Sequence, residues 1–287
     1  MFEKMVLLLD TSEPAEAVIP YAVYLASKMG SELDVVNVVE GEGSSERVAK
    51  AYLDKIVDEI KEPGIRKKRA VILRGKPAEQ ILDYVERNKI DIIAAASHGH
   101  SGIKRWVIGS TVDKIIKVTK TSVLLVYSKE KGSINKQSAI FTHVLLPLDG
   151  SKAAEASLPI TEYIANKMKL RVSLFRAVSP LVDQYAGPPE GYVVDYTGKV
   201  MQALEEEAGD YLKQTAKLFD EKGILVSTTM IVGSPATEML KFIEKQKVDL
   251  VVMSTHGRTG FGRWILGSVA NKILHSVEIP LLIIRPS

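Results

Sequence analysis

The sequence predicts an α/β protein built from two similar halves in tandem, each with a doubly wound parallel sheet of five strands. Two observations support this prediction. Short motifs recur at a fixed spacing along the chain, and apolar β-branched runs alternate with longer helical patterns in each half. The length of 287 residues is enough for two domains of ordinary size.

The internal repeat is visible in three segments. Val6–Asp10 returns as Leu145–Asp149, Arg74–Glu79 as Val232–Thr237, and Ser97–Ser110 as Thr255–Ser268. The first pair of segments is 139 residues apart and the other two pairs are 158 apart, so the second half contains 19 additional residues. We place this insertion at 179–200, between the second strand and the Gly-Ser-Pro-Ala turn of that half.

Each half alternates strands and helices as expected for βαβ units, whose parallel strands are buried on both faces. The predicted strands of the first half lie near residues 5–9, 33–39, 69–74, 90–96 and 122–127. Those of the second half lie near 143–148, 170–177, 225–232, 248–254 and 280–285. Helices are predicted between them, and the residues from Met201 to Phe219 keep the spacing of one buried helical stripe.

The segment 128–138 is polar and has no apolar period, so it is predicted to link the halves. The domains are therefore expected to span 1–138 and 139–287. We expect the strand order 3-2-1-4-5 in each Rossmann-like sheet.

Composition excludes several classes of function. The chain has 38 basic and 35 acidic residues, and a net charge of +3 is too small to predict a nucleic-acid partner. The lack of cysteine excludes disulfides, thiolate catalysis and cysteine-ligated metals. No apolar run approaches about 20 residues and no signal peptide is recognised, so we expect no membrane contact and a cytoplasmic location.

Ligands of doubly wound sheets bind beyond the carboxyl ends of the strands, where the strand order reverses. After its fourth predicted strand the first half has Gly99 and Gly109-Ser110, and the second half has Gly257 and Gly267-Ser268. Glycine lets backbone amides approach a phosphate closely, and a Gly-Ser pair before a helix offers amide donors at its positive end. These loops are predicted anion sites, although the glycines could serve the turn alone.

The first strand of each half ends at an aspartate, Asp10 or Asp149. A carboxylate there can accept hydrogen bonds from a ribose or help hold a divalent ion, or it can cap the helix that follows. His98 and His256 stand alone, without a second ligand at metal-binding spacing, so they are expected to order the loop or contact a ligand.

In each half, nine residues separate the first glycine of the loop from the Gly-Ser pair. This spacing resembles the nucleotide-binding motif of the universal stress protein family. The resemblance occurs once in each half and together covers almost the whole chain. The motif's first glycine is replaced by Ala96 and Ser254. The family pairs through its fifth strand. The resemblance therefore implies that 123–127 and 281–285 pair inside one chain as an intramolecular pseudo-dimer, and a further homodimer stays open.

The resemblance also implies a regulatory protein of the stress response that binds ATP or another adenine nucleotide, with Mg²⁺ and with metal ligands unassigned. Val38 and Ala177, which follow the polar residue near the end of each second strand, are implied neighbours of the adenine. Because Arg258 replaces His100, the two sites are expected to differ. The residues implied to surround the nucleotide are Leu9, Asp10, Val38, Ala96, His98, Gly99, Gly109, Ser110, Thr111, Pro147, Leu148, Asp149, Ala177, Ser254, His256, Gly257, Arg258, Gly267, Ser268 and Val269.

No nucleophile oriented by a base and a third group is recognised, so no catalytic residue is predicted. Two alternatives remain open at this point. The chain could be a nucleotide-independent dimerisation or interaction module, or a slow ATP-hydrolysing enzyme.

Overall fold

A computed structural model describes residues 2–40, 43–97, 108–127, 141–179, 196–254 and 267–285. The strands of the first half are β1 (Lys4–Leu8), β2 (Glu32–Val39), β3 (Lys67–Arg74), β4 (Ile92–Ala96) and β5 (Ser122–Val126). Those of the second half are β6 (His143–Pro147), β7 (Arg171–Val178), β8 (Val226–Val232), β9 (Leu250–Ser254) and β10 (Leu281–Ile284). Each bound lies within two residues of the sequence prediction.

The ten strands form one continuous sheet in the order β3-β2-β1-β4-β5-β10-β9-β6-β7-β8. Each half therefore has the predicted order 3-2-1-4-5, and the halves are joined through their fifth strands. All pairings within a half are parallel. The outer strands β3 and β8 expose polar residues such as Lys67, Lys68 and Ser227, which disfavours further edge pairing.

Helices connect the strands on both faces of the sheet. In the first half a 3-10 helix (Glu13–Val18) precedes α1 (Ile19–Met29), α2 (Ser44–Glu59), α3 (Pro77–Asn88) and α4 (Ser110–Val118). In the second half the helices are α5 (Lys152–Glu155), α6 (Leu158–Met168), α7 (Tyr196–Asp220), α8 (Pro235–Gln246) and α9 (Ser268–Leu274). No helix among the described ranges combines the length and apolar character needed to cross a bilayer.

The sheet separates two apolar cores. One lies under α1, α2, α6 and α7, and the other lies under α3, α4, α8 and α9. The central strands are buried on both faces, which explains why they read as continuous apolar runs instead of alternating patterns. The predicted stripe on α7 is confirmed from Ala208 through Leu212 and Thr215 to Phe219, which are buried, whereas its first members Met201 and Leu204 are half-buried.

The seam between the halves is the antiparallel pair β5 and β10. Leu124 lies opposite Leu282, its counterpart 158 residues later in the repeat. On either side, Val123 pairs with Ile283 and Leu125 pairs with Leu281, as an approximate two-fold axis through Leu124 and Leu282 requires.

Aromatic contacts across the seam obey the same symmetry. Phe2 packs on Tyr163 with ring centroids 6.3 Å apart, and its counterpart Phe141 packs on Tyr24 at 5.9 Å. Both pairs are edge-to-face. The interface between the halves is therefore self-complementary, with each patch contacting its own equivalent.

Two sequence predictions fall outside the described residues. The linker 128–138, and with it the domain boundary at 138, cannot be placed on the fold. Most of the insertion also lies in the range 180–195, and the described chain resumes at the start of α7.

A buried histidine lies at the start of β6. His143 is 3% exposed, and its Nδ1 lies 3.2 Å from the backbone carbonyl oxygen of Gln246. Because a carbonyl only accepts, Nδ1 carries the proton and Nε2 accepts from the Ser173 hydroxyl at 2.8 Å. Burial, aided by the positive charge of Arg171, lowers the pKa of His143.

The seam generates the first testable prediction. Replacing Leu282 by Ala removes a buried side chain from the two-fold axis, and we expect a loss of about 2–5 kcal/mol in the free energy of unfolding. The matched control is Leu225→Ala at an exposed position, with an expected change within about 0.5 kcal/mol. Urea denaturation measures both, and equal losses would show that the seam contributes little.

The second prediction concerns pH. Because the folded-state pKa of His143 lies below its unfolded value of about 6.5, the unfolded chain takes up the proton first as the pH falls. The contribution of neutral His143 is thus complete above about pH 6.5 and is lost as the pH falls toward the folded pKa. We expect the urea midpoint of His143→Gln to fall less on acidification than that of the unmodified chain. Parallel pH profiles would contradict this assignment.

Candidate functional site

A crevice of about 440 Å³ opens at the carboxyl ends of β1 and β2, beside the first turns of α2. Its volume is in the range of small-molecule sites, and it lies next to the point where the strand order reverses between β1 and β4. The crevice is lined by Asp10, Thr11, Asn37, Val38, Val39, Ser44, Ser45, Val48 and Ala49.

One wall of the crevice is apolar. Val38 and Val39 end β2, and Val48 projects from α2 with 66% of its surface exposed. Asn37 is 5% exposed and donates from Nδ2 to the Leu9 carbonyl oxygen at 2.7 Å, which holds its short side chain against β1. The described chain thus leaves an exposed apolar surface inside a polar rim.

The turn after β1 supplies the polar rim. Asp10 accepts hydrogen bonds at Oδ1 from the amide and the hydroxyl of Ser12, and the Ser12 hydroxyl in turn caps the following helix at the Ala15 amide. In the second half, Asp149 accepts from the Ser151 amide at 2.9 Å, and Ser151 is the cap. The serines cap these helices, and the aspartates order the turn in front of them.

Thr11 lines the crevice with a φ of +67°, in the left-handed region that β-branched residues avoid. Such a conformation costs about 1–3 kcal/mol and is typical of ligand sites. Its counterpart in the second half is Gly150, with a φ of +81°, for which the same turn carries no side-chain strain.

The N-terminus of α4 faces the same edge of the sheet. Gly109 is the residue before the helix, with φ −57° and ψ 142°, and its amide donates to the Ser97 carbonyl at 2.8 Å. Any residue adopts these angles, and an added Cβ would come no closer than 3.5 Å to the Ser97 oxygen. Neither the backbone angles nor the packing of the described residues requires glycine at this position. This favours the predicted role of Gly109, which is to let a ligand come close to the backbone.

The first turn of α4 has no side-chain cap from the described part of the chain. No described side chain accepts a hydrogen bond from the first amides of α4, or from those of α9 in the second half. These amides have no partner within their own helix. Ser110 and Thr111 also border a hollow of about 210 Å³ with Lys76, Lys114 and Glu79, which pairs with Lys114 at 3.4 Å. The beginning of α4 is therefore suited to anions.

The helices α2 and α7 occupy equivalent places in the two halves. The Tyr52 hydroxyl donates to Glu16 Oε1 at 2.9 Å, and 159 residues later the Tyr211 hydroxyl donates to Glu155 Oε1 at 3.1 Å. Burial, followed by the charge of Glu155, raises the pKa of Tyr211 to about 12, which keeps the hydroxyl protonated as donor.

Arg176 takes the place of Asn37 in the second half. Its side chain is 4% exposed, its Nη2 lies 3.1 Å from Glu207 Oε1 on α7, and its guanidinium carbon lies 5.1 Å from the centre of the Tyr211 ring. Its Nη1 is buried without a hydrogen-bond partner in the described part of the chain.

The other predicted site residues in the described ranges lie at the carboxyl edge of their own half. Leu9 and Leu148 are buried directly after β1 and β6, and their amides donate to the neighbouring strands β2 and β7. Ala96 and Ser254 end β4 and β9 and are buried. The remaining members of this set are Pro147, Ala177, Gly267, Ser268 and Val269.

Five predicted residues, His98, Gly99, His256, Gly257 and Arg258, lie outside the described ranges. Sequence reasoning missed the other seven residues that the fold brings to the crevice: Thr11, Asn37, Val39, Ser44, Ser45, Val48 and Ala49. One feature of the sequence could have pointed to this part of the crevice, namely the polar residue at the same position of both apolar second strands, Asn37 and Arg176.

Within the described ranges, no three histidine or acidic side chains gather in a metal-binding arrangement. Asp10 is the acidic residue in the crevice lining. One carboxylate fits an Mg²⁺ ion that is held mainly by the phosphates of a nucleotide, and it is too few for an ion held by protein alone.

The profile of the Universal stress protein family matches residues 1–127 and again residues 141–285. Universal stress protein MJ0531 of Methanocaldococcus jannaschii is 32% identical over 147 residues, covering 51% of this chain and 83% of its own length. Universal stress protein Slr1230 of Synechocystis is 22% identical over 99% of this chain and 100% of its own length.

A solved universal stress protein from Archaeoglobus fulgidus shares the fold over 99% of this chain and 96% of its own, with a TM-score of 0.70 and 20% identity. Both halves thus match the same family profile, and the tandem arrangement has a full-length relative. The chain belongs to the universal stress protein family.

Proposed function

We propose that the chain binds an adenine nucleotide, ATP with Mg²⁺, in the crevice of its first half and acts as a nucleotide-dependent regulator of the stress response. The observation that carries this proposal is the open crevice of about 440 Å³ with an apolar wall and a polar rim, at the same edge of the sheet as the N-terminus of α4. An adenine nucleotide has the same division, with an apolar ring at one end and phosphates at the other.

The base is assigned to the apolar wall. Val38, Val39 and Val48 make this wall apolar, and covering the exposed Val48 side chain gives the hydrophobic gain expected for buried carbon, about 25 cal/mol per Å². The amide of Asn37 fixes this wall to β1 through the Leu9 carbonyl and leaves room in front of it.

The sugar and the phosphates are assigned to the rim. The Asp10 carboxylate can accept hydrogen bonds from ribose hydroxyls, whereas it would repel phosphates without a cation. The amides at Ser110 and Thr111 suit the phosphates, because the N-terminus of α4 carries partial positive charge and Gly109, whose own amide is bonded to the Ser97 carbonyl, has no side chain to obstruct approach.

The regulatory role is supported by family membership and by the character of the crevice. The one titratable side chain among the described residues that line it is Asp10, whose Oδ1 already accepts hydrogen bonds from Ser12 and orders the turn. We assign binding to this site and no turnover.

We extend the proposal to assembly. The two halves form a built-in pseudo-dimer, because each fifth strand already has its partner inside the chain. A homodimer is not needed to cover this edge, since β5 and β10 are buried by one another.

The nucleotide assignment predicts a difference between two equivalent aspartates. Asp10→Ala is expected to weaken MgATP binding about 10- to 100-fold, because a charged hydrogen-bond acceptor for the ribose is lost. Asp149→Ala is the matched control, since it removes the equivalent turn acceptor in the other half, and its affinity is expected to stay within about twofold. Equilibrium dialysis with radiolabelled ATP measures both, and equal effects would refute the assignment of the first crevice.

Gly109 provides an independent prediction. Gly109→Ala should leave the free energy of unfolding within about 0.5 kcal/mol of the original, because its backbone angles suit alanine, yet weaken MgATP binding about tenfold or more through the added Cβ. Gly75→Ala, at a φ of +122°, should show the opposite behaviour, with a loss of about 1–3 kcal/mol in stability and unchanged affinity. Unchanged binding by Gly109→Ala would separate this glycine from the phosphates.

A further inference from the structure

The duplicated chain contains its own comparison for the crevice. β1 and β2 pair in the same register as β6 and β7, with every residue 139 positions later, so that Thr11 corresponds to Gly150 and Asn37 to Arg176. Along α7 the spacing is 159, which matches Val48 with Glu207.

The helix alignment is supported by burial. Ala49, Leu53 and Ile56 form the buried stripe of α2, and the residues 159 positions later, Ala208, Leu212 and Thr215, form that of α7. The two helices therefore present equivalent positions to the sheet, and differences at the crevice come from side chains.

The guanidinium of Arg176 lies in the space that corresponds to the first crevice. Its Nη1 is 3.4 Å from the point where a Cβ on Gly150 would lie, and its Nη2 contacts Glu207. The equivalents of both contacts, Thr11 and Val48, line the open crevice of the first half.

We infer that Arg176 and Glu207 close the second crevice to adenine nucleotide, so that each chain binds one nucleotide, in its first half. This inference rests on the proposed function. Arg176, Glu207 and their counterparts Asn37 and Val48 then determine which half binds.

Opening the second crevice would require several changes together. Arg176 would have to give up both its ion pair with Glu207 and its position over the face of Tyr211. Glu207 also replaces the exposed apolar surface of Val48 with a negative charge, which disfavours both the base and the phosphates.

The test is a gain of binding. The unmodified chain is expected to bind one MgATP in isothermal titration calorimetry, and Arg176→Asn combined with Glu207→Val is expected to bind two. The matched control removes another ion pair of α7, Asp210 with Lys213, which faces solvent. Asp210→Val with Lys213→Asn should keep the ratio of one to one.

The reciprocal variant transfers the closed arrangement to the first half. Thr11→Gly, Asn37→Arg and Val48→Glu together provide the guanidinium, its partner and the space over the turn. We expect this variant to bind no MgATP while its circular dichroism spectrum and urea midpoint stay close to those of the unmodified chain.

The outcomes separate this inference from the proposed function. Two nucleotides on the unmodified chain, as when Arg176 grips phosphates, would overturn the closed crevice alone. A ratio of one that is lost in Asp149→Ala and kept in Asp10→Ala would do the same, because the nucleotide would then lie in the second half. No binding by either the unmodified chain or the Arg176→Asn, Glu207→Val variant would overturn the proposed function, and this inference with it.

Discussion

The antiparallel hydrogen bonding of β5 with β10 determines the arrangement of the whole molecule. Because every other pairing is parallel, this one antiparallel pairing makes the strands of the two halves run in opposite directions. The carboxyl ends of the first half therefore lie on the same side of the sheet as the amino ends of the second half. The two crevices therefore open on opposite sides and cannot share a ligand. What each crevice binds must be decided by the side chains of its own half.

Three positions account for the difference between the crevices. A threonine, an asparagine and a valine line the open first crevice, whereas in the second half an arginine paired with a glutamate lies over a glycine that leaves room for it. The backbone framework is the same in both, as the equal registers and the two tyrosine–glutamate hydrogen bonds show. Duplication has thus preserved the fold in both halves while the chemistry at the strand ends has diverged.

The fold could be predicted from the sequence because doubly buried parallel strands are unbroken apolar runs and the repeat aligns two sets of them. The crevice was only half predictable. Asp10 and Val38 end strands and were found, but Val48 belongs to a polar helix, and only the path of α2 brings it to the site. The Arg176–Glu207 pair was hidden for a similar reason, since the residues meet only when α7 folds back over β7. The insertion ends inside α7: at the spacing of 159, Ser44 at the start of α2 corresponds to Ala203, whereas α7 already begins at Tyr196.

The exposed side chain of Val48 has a consequence for the life of the protein. Contact of this apolar group with water is unfavourable, and a nucleotide that covers it would remove that free-energy cost. A ligand that binds only the native state raises the free energy of unfolding in proportion to the logarithm of its concentration. If Arg176 closes the second crevice as inferred, the second half has no such dependence. Under the proposed function, depletion of cellular nucleotide would weaken one half of the molecule selectively and shorten its survival against proteolysis.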